Sequence, residues 1–221
     1  MLLAVKGLTV HHGKEVHLRD ISFDLAASEC LVIRSQILLL GTTLLQSLVG
    51  LEEQATGEVH FNGRDLLGDM PLRHRLELRR DIGYVHRVGG LISLLNVREN
   101  IALPLCYHAQ VTRQQVAELT REVAEVVGVS DLLDREVDEL DIVQVRLVNL
   151  ARALIDRPQL LLVDAILEGM DEDRRRRAAG AIERYQNEYG FGVVMTARTR
   201  NLPQTTRVLE LRTDGLHRPG G

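Results

Sequence analysis

Few side chains in this sequence combine a reactive type with a useful spacing, and those few sit at the ends of apolar runs. Thr42 and Thr43 open the helical run Thr42–Val49, just after a turn that follows the buried strand Cys30–Ile33. The N-terminus of a helix carries partial positive charge and outward-pointing N–H groups, so hydroxyls there suit an anion such as phosphate. The turn itself has the wrong chemistry for a phosphate cradle. Such a cradle needs glycines to turn successive N–H groups inward and a lysine to reach the terminal phosphates. Here the turn carries Leu38-Leu39-Leu40, and lysine occurs only upstream, at Lys6 and Lys14; all other fixed cations are arginines. Left-handed backbone at leucine costs on the order of 1–2 kcal/mol per residue, so these residues favour packing over cradling.

The remaining candidates have plain structural explanations beside any functional one. His11, His12 and His17 fit no standard metal spacing, and His11 and His12 point to opposite faces of a strand. Arg174–Arg177 read as a solvated face with Asp/Glu partners, contact with anionic lipid being the lesser alternative. Cys30 and Cys106 are the only cysteines, both in apolar surroundings, which points to a reducing compartment and no disulfide framework. The net charge of −4 gives no reason to expect a nucleic-acid partner. No signal peptide is read at the N-terminus. The most apolar run, Ile37–Leu51, is too short to span a membrane.

The elements that must hold these residues alternate. Strands are read at Leu2–Val10 and Val16–Leu25 around a Gly13-Lys14 turn, and at Cys30–Ile33, Gly57–Phe61 (running into Asn62-Gly63), Ile82–Val85, Gln159–Val163, Gly192–Thr196 and Arg207–Leu211. Helices are read at Thr42–Val49, Leu72–Arg80, Val97–Tyr107, Thr112–Val127 (Thr112 as N-cap), Gln144–Ile155 and Asp171–Glu188. Uninterrupted apolar strands alternating with helices predict an α/β fold with a mainly parallel sheet covered on both faces. The mostly helical run from about Leu72 to Asp138 reads as an inserted helical lobe, and the C-terminal HRPGG as a frayed tail.

In this order the pieces resemble the nucleotide-binding subunit of an ABC transporter over nearly the whole chain. VKGLTVHHGKEVHLRDISFDL resembles that family's opening antiparallel strands, and SLVGLEEQATGEVHFNGRDL the segment after its first helix. DIGYVHRVGGLISLLNVRENIALPL is similar to the entry into its helical lobe, and VNLARALIDRPQLLLVDAILEGMD to its signature helix and second nucleotide strand. GLISLLNVRENIALPL is most similar to subunits of Mla-type lipid-trafficking importers. The resemblance implies a P-loop NTPase-like fold, with residues 1–221 forming one domain: a mainly parallel core, N-terminal antiparallel strands and a helical lobe at about 88–157.

Laid on the family's motifs, the sequence departs at each chemical position. The phosphate loop falls on residues 35–43. Ser35, Leu38 and Leu40 stand where glycines belong and Gly41 stands for the lysine, while Thr42 and Thr43 match. Arg87 replaces the glutamine that reads Mg²⁺ and water; it reads as a solvated or carboxylate-paired arginine, with a substitute phosphate binder as the sharper alternative. The signature falls on Leu140, Asp141, Ile142, Val143 and Gln144, where Asp141 would repel a γ-phosphate. Asp164 matches the Mg²⁺-orienting acid, Ala165 replaces the catalytic glutamate, and Arg198 replaces the switch histidine. Asp171 matches the aspartate of the loop beyond and is equally a helix N-cap; His12 stands for the adenine-stacking aromatic.

The expectation is therefore a degenerate subunit without catalytic residues. Thr42 and Asp164 would be the metal ligands if Mg²⁺ binds, and ATP and Mg²⁺ are implied by resemblance alone. The resemblance also implies a membrane permease partner docked through Leu91, Leu94 and Val97, and pairing with a like subunit, identical or not. The place of work is the cytoplasmic face of the membrane. Two alternatives stand beside this reading: an active ATP-hydrolysing subunit that energises lipid or solute transport, and a regulatory or scaffolding subunit that needs no nucleotide.

Overall fold

The computed structural model describes residues 1–13, 15–107, 111–198 and 207–219. The Gly13-Lys14 turn and the last two residues of the C-terminal tail thus fall partly or wholly outside the described residues. Strands β1 (Leu3–His12), β2 (Glu15–Leu25), β4 (Ala55–Phe61) and β5 (Arg64–Asp65) form an antiparallel sheet in the order β2-β1-β4-β5. A second sheet runs β10-β9-β3-β8-β7-β6, built from β3 (Cys30–Arg34), β6 (Ile82–Val85), β7 (Leu160–Asp164), β8 (Gly192–Ala197), β9 (Arg207–Arg212) and β10 (Gly215–His217). Every pairing from β9 to β6 is parallel, and only β10 is antiparallel. The fold is α/β, as the alternation of apolar strands and helices predicts.

The parallel sheet separates two cores, and its period-2 alternation assigns residues to each. On β7, Leu160 and Leu162 join one core while Leu161 and Val163 join the other. The first core holds the antiparallel sheet and α1 (Leu38–Leu48). The second holds α3 (Val97–Cys106), α4 (Arg113–Val127), α5 (Ile142–Leu154) and α6 (Glu172–Tyr189). The short α2 (Leu72–Arg80) buries only Leu78.

Local chemistry explains most of the boundaries. Thr112 and Gln115 form a capping box at the start of α4, and Gly128 ends that helix in left-handed backbone. Asp171 caps α6 by accepting the Arg174 N–H at 2.9 Å. The largest departure from the sequence-based expectation is α1, which begins at Leu38 instead of Thr42. None of residues 35–40 has positive φ. With leucine, a strong helix former, where a cradle needs glycine, the helix winds back through the turn.

Candidate functional site

The expected phosphate turn is reduced to Ser35–Ile37 and closes on itself. The Ser35 hydroxyl donates to the Ile37 carbonyl at 3.0 Å and accepts the Ile37 N–H at 3.2 Å. Ile37 caps α1 with no side-chain bond. Leu40 packs into the first core and Leu38 is half-buried, whereas Ile37 and Leu39 stay about half exposed, at 49% and 51%. The expectation that the apolar run serves packing therefore holds for Leu40 and fails for Leu39. Gly41, at the lysine position, lies against β8: a Cβ added there would meet Thr196 at 3.1 Å. Thr43 is buried.

The structure brings Thr42 and Asp164 together. The Thr42 hydroxyl donates to Asp164 Oδ2 at 2.8 Å, and Thr196 donates to Asp164 Oδ1 at 3.2 Å. This hydrogen-bonded trio ties α1 to β7 and β8. Burial pushes the Asp164 carboxyl above its ordinary range, opposed by the two hydroxyl donors and by the charges of Arg87 and His86. The Arg87 Nε is buried without a hydrogen-bond partner among the described residues. His86 is held below its usual value by burial and then by Arg152, which favours the neutral ring.

Ala165 follows Asp164 in left-handed backbone, φ 46°, and is buried. No carboxylate occupies this position, but one lies three residues on. Glu168 accepts the Arg198 N–H at 2.8 Å and approaches its Nε at 3.9 Å. Glu168 escaped the sequence reading because its only signal is position in the loop after β7. The His12 ring lies against His17 (centroids 4.1 Å apart) and its Nε2 is 3.3 Å from Glu52. Among the described residues no group of three potential metal ligands occurs, so the three histidines form no such cluster.

The signature-equivalent residues form the start of α5. Asp141 is its N-cap, accepting the N–H groups of Val143 and Gln144 at 2.8 Å each, while Gln144 Oε1 accepts the Asp141 N–H. Leu140 and Val143 pack partly against the second core, and Ile142 is exposed. Arg174 reaches both Asp141 and Asp171 at 3.5 Å, and Arg175 and Arg176 pair with Glu172 and Asp173. The arginine run from 174 to 176 thus has the carboxylate partners that its solvated reading predicts.

One face of α5 grips the segment after β6. Arg146 Nε donates to the Arg87 carbonyl at 2.9 Å and its Nη1 to the Glu168 carbonyl at 2.6 Å. Asn149 donates to the Gly89 carbonyl at 2.5 Å, and Arg152 to Gly90. Positions 146, 149 and 152 recur every three residues, the spacing of one helical face. Buried Asn100 then gathers the carbonyls of Ile92, Leu95 and Asn96 at 3.0–3.1 Å. This clamp was missed in the sequence, since nothing local marks which carbonyls an arginine will meet.

The residues expected to dock a permease separate. Leu94 is 91% exposed and Leu91 is half-buried, but Val97 is fully buried. Val97 is a correction: as the first residue of α3 it packs into the second core and offers no outer contact. Beside this segment, a groove of about 480 Å³ runs between α2, β6, α3 and α5, with Leu76, Tyr84, Pro104, Tyr107 and Arg152 among its walls.

A family model described as ABC transporter matches residues 18–167. The molybdate/tungstate import ATP-binding protein WtpC of Thermococcus kodakarensis is 31% identical over 191 residues, covering 86% of this chain and 56% of that protein. The trehalose/maltose import ATP-binding protein MalK of Thermococcus litoralis is 31% identical over 183 residues, covering 82% and 49%. The chain spans about half the length of the curated relatives it matches. Among solved structures, the dimeric bacterial ABC transporter cassette MJ0796 superposes with a TM-score of 0.90 at 22% identity, covering 98% of this chain and 97% of that one. At that identity the likeness speaks for the fold.

Proposed function

The chain belongs to the ABC transporter family, and on that premise we propose that it is a nucleotide-binding-type subunit of an import system that docks on a membrane permease without efficient ATP hydrolysis. The observation that carries this reading is the start of α1 at Leu38, which puts helix where a phosphate cradle requires glycine backbone. The residues do not fit magnesium nucleotide of the family's kind. The Thr42–Asp164 pair is kept, yet Gly41 supplies no cation, Arg87 brings a positive charge toward Asp164, and Ala165 carries no base.

The docking surface in this reading is the segment 89–105 with the adjoining groove, minus Val97. The whole chain acts as one unit, with the helical lobe at about 88–157. It pairs with a second nucleotide-binding-type subunit, of its own or another kind, as the MJ0796 cassette is dimeric. By its family, it works on the cytoplasmic face of the membrane. The relatives named above import oxyanions or sugars, so they assign no cargo. A lipid cargo rests on the Gly90–Leu105 segment alone.

An active ATPase is the second reading, favoured by the names of the relatives and by the intact Thr42–Asp164 contact. Phosphate release by the permease complex in vesicles separates the two. Loss of the base and cradle predicts turnover at least about 10²–10⁴-fold below that of an intact family member. Hydrolysis at ordinary rates, abolished by Asp164→Asn, would establish the active reading. Independently, Leu94→Asp is expected to release the permease.

A further inference from the structure

The outer face of α2 has no role in the readings above. The nine residues of this helix, LRHRLELRR, include four arginines and one glutamate in a chain whose net charge is −4. The helical period sorts them into two faces. On the inner face Leu78 is buried, Arg75 donates to the Gly68 carbonyl at 3.2 Å, and Arg79 donates to the Val49 and Gly50 carbonyls at 2.7 Å each. The outer face carries Leu72, Leu76 and Arg80 in one stripe, with Arg73 and Glu77 beside it, and all five are exposed. Two of the four arginines thus anchor the helix, and two point away from the fold.

Leu72 is 65% exposed and Leu76 49%. Leu76 and Arg80 share the groove wall with Tyr107, itself 72% exposed. Arg73 and Arg80 form no ion pair among the described residues. Glu77, the one carboxylate of α2, lies at the edge of the outer face away from the leucines. An apolar strip edged by cations is the pattern of a helix lying in a membrane interface, where leucines enter the headgroup boundary and cations meet lipid phosphates. Leu72 and Arg73 do not line the groove. They stand on the convex surface of the helix, which a plane of headgroups meets without a shaped pocket.

We propose that the outer face of α2 is a contact for an anionic lipid surface, with Arg73 and Arg80 on headgroup phosphates and Leu72, Leu76 and Tyr107 at the headgroup boundary. This contact rests on the reading that places the chain at a membrane face, and it adds a direct hold on lipid that needs neither permease nor nucleotide.

Flotation of the full chain with permease-free vesicles tests it, using phosphatidylcholine alone and phosphatidylcholine mixed with phosphatidylglycerol. Binding is expected to the mixed vesicles only, and is expected to weaken with added salt, which screens the two guanidinium groups. Arg73→Gln and Arg80→Gln are each expected to lower the partition coefficient about fivefold. Leu72→Ser combined with Leu76→Ser is expected to lower it roughly tenfold. Arg121→Gln, at an exposed position of α4, is expected to leave binding unchanged. Both α2 arginine variants are expected to keep the wild-type melting temperature, since neither side chain is bonded within the fold. Equal binding to both vesicles, binding to neither, or an equal loss in Arg121→Gln overturns the proposal. Loss of permease binding in the two arginine variants, without any vesicle binding by the wild type, assigns the face to an acidic protein segment and also overturns it. Failure of vesicle binding leaves the permease reading standing, because Leu94→Asp tests that reading with the permease present.

Discussion

At the scale of single residues, Asp164 shows how one buried carboxylate can join several elements. Its two oxygens accept hydroxyls from α1 and β8, so it ties three elements together whether or not a ligand is present. Burial nevertheless raises its pKa. A carboxyl whose folded pKa is raised holds its proton more tightly in the folded state. Stability therefore falls as pH rises from the ordinary carboxylate value, 3.8, through the raised one, and stays reduced above it. Asp164→Asn removes this cost while keeping a polar partner for both threonines. The variant is expected to melt higher than wild type at pH 8, by about 2–4 °C if it gains about 1 kcal/mol, and to lose that advantage at pH 4. Thermal scans at both values check this; a variant less stable at pH 8 would mean that the hydroxyl bonds outweigh desolvation.

At the scale of elements, a single side chain at the start of α5 keeps that helix sound. Asp141 is the N-cap of α5, completing a capping box with Gln144. Replacing it with alanine is expected to cost about 0.5–2 kcal/mol, and with serine far less. Urea unfolding of both variants measures the difference, and equal losses would argue against the cap. The capped helix in turn presents Arg146, Asn149 and Arg152 to the segment 87–90, so the start of the helical lobe is held by side chains of a later helix.

At the scale of the whole molecule, one parallel sheet serves two cores. Leu161 and Leu162 are neighbours in β7 and fully buried, yet they face opposite cores. Each changed to alanine is expected to cost roughly 2–5 kcal/mol. Because β7 is common to both cores, each loss is expected to shift a single cooperative transition in calorimetry. Two transitions, of which each variant lowers only one, would show that the cores unfold separately.

Much of this was legible in the sequence. Apolar period-2 and period-3.6 patterning placed the long strands and helices within a few residues, because burial of those faces is the main driving force and is written in residue type. The absence of lysine after Lys14 and the leucines at positions 38 and 40 were likewise plain. The tertiary structure alone decided what the turn becomes: α1 begins at Leu38, and Gly41 is packed against Thr196. It also buried Val97, brought Arg198 to Glu168, and set Leu76 and Arg80 in one groove wall with Tyr107. These pairings join residues far apart in the chain, and an arginine's long, flexible stem gives no local sign of which carboxylate or carbonyl it will meet. Sequence patterning determined the scaffold; only the packing of distant segments determined which charges share a site.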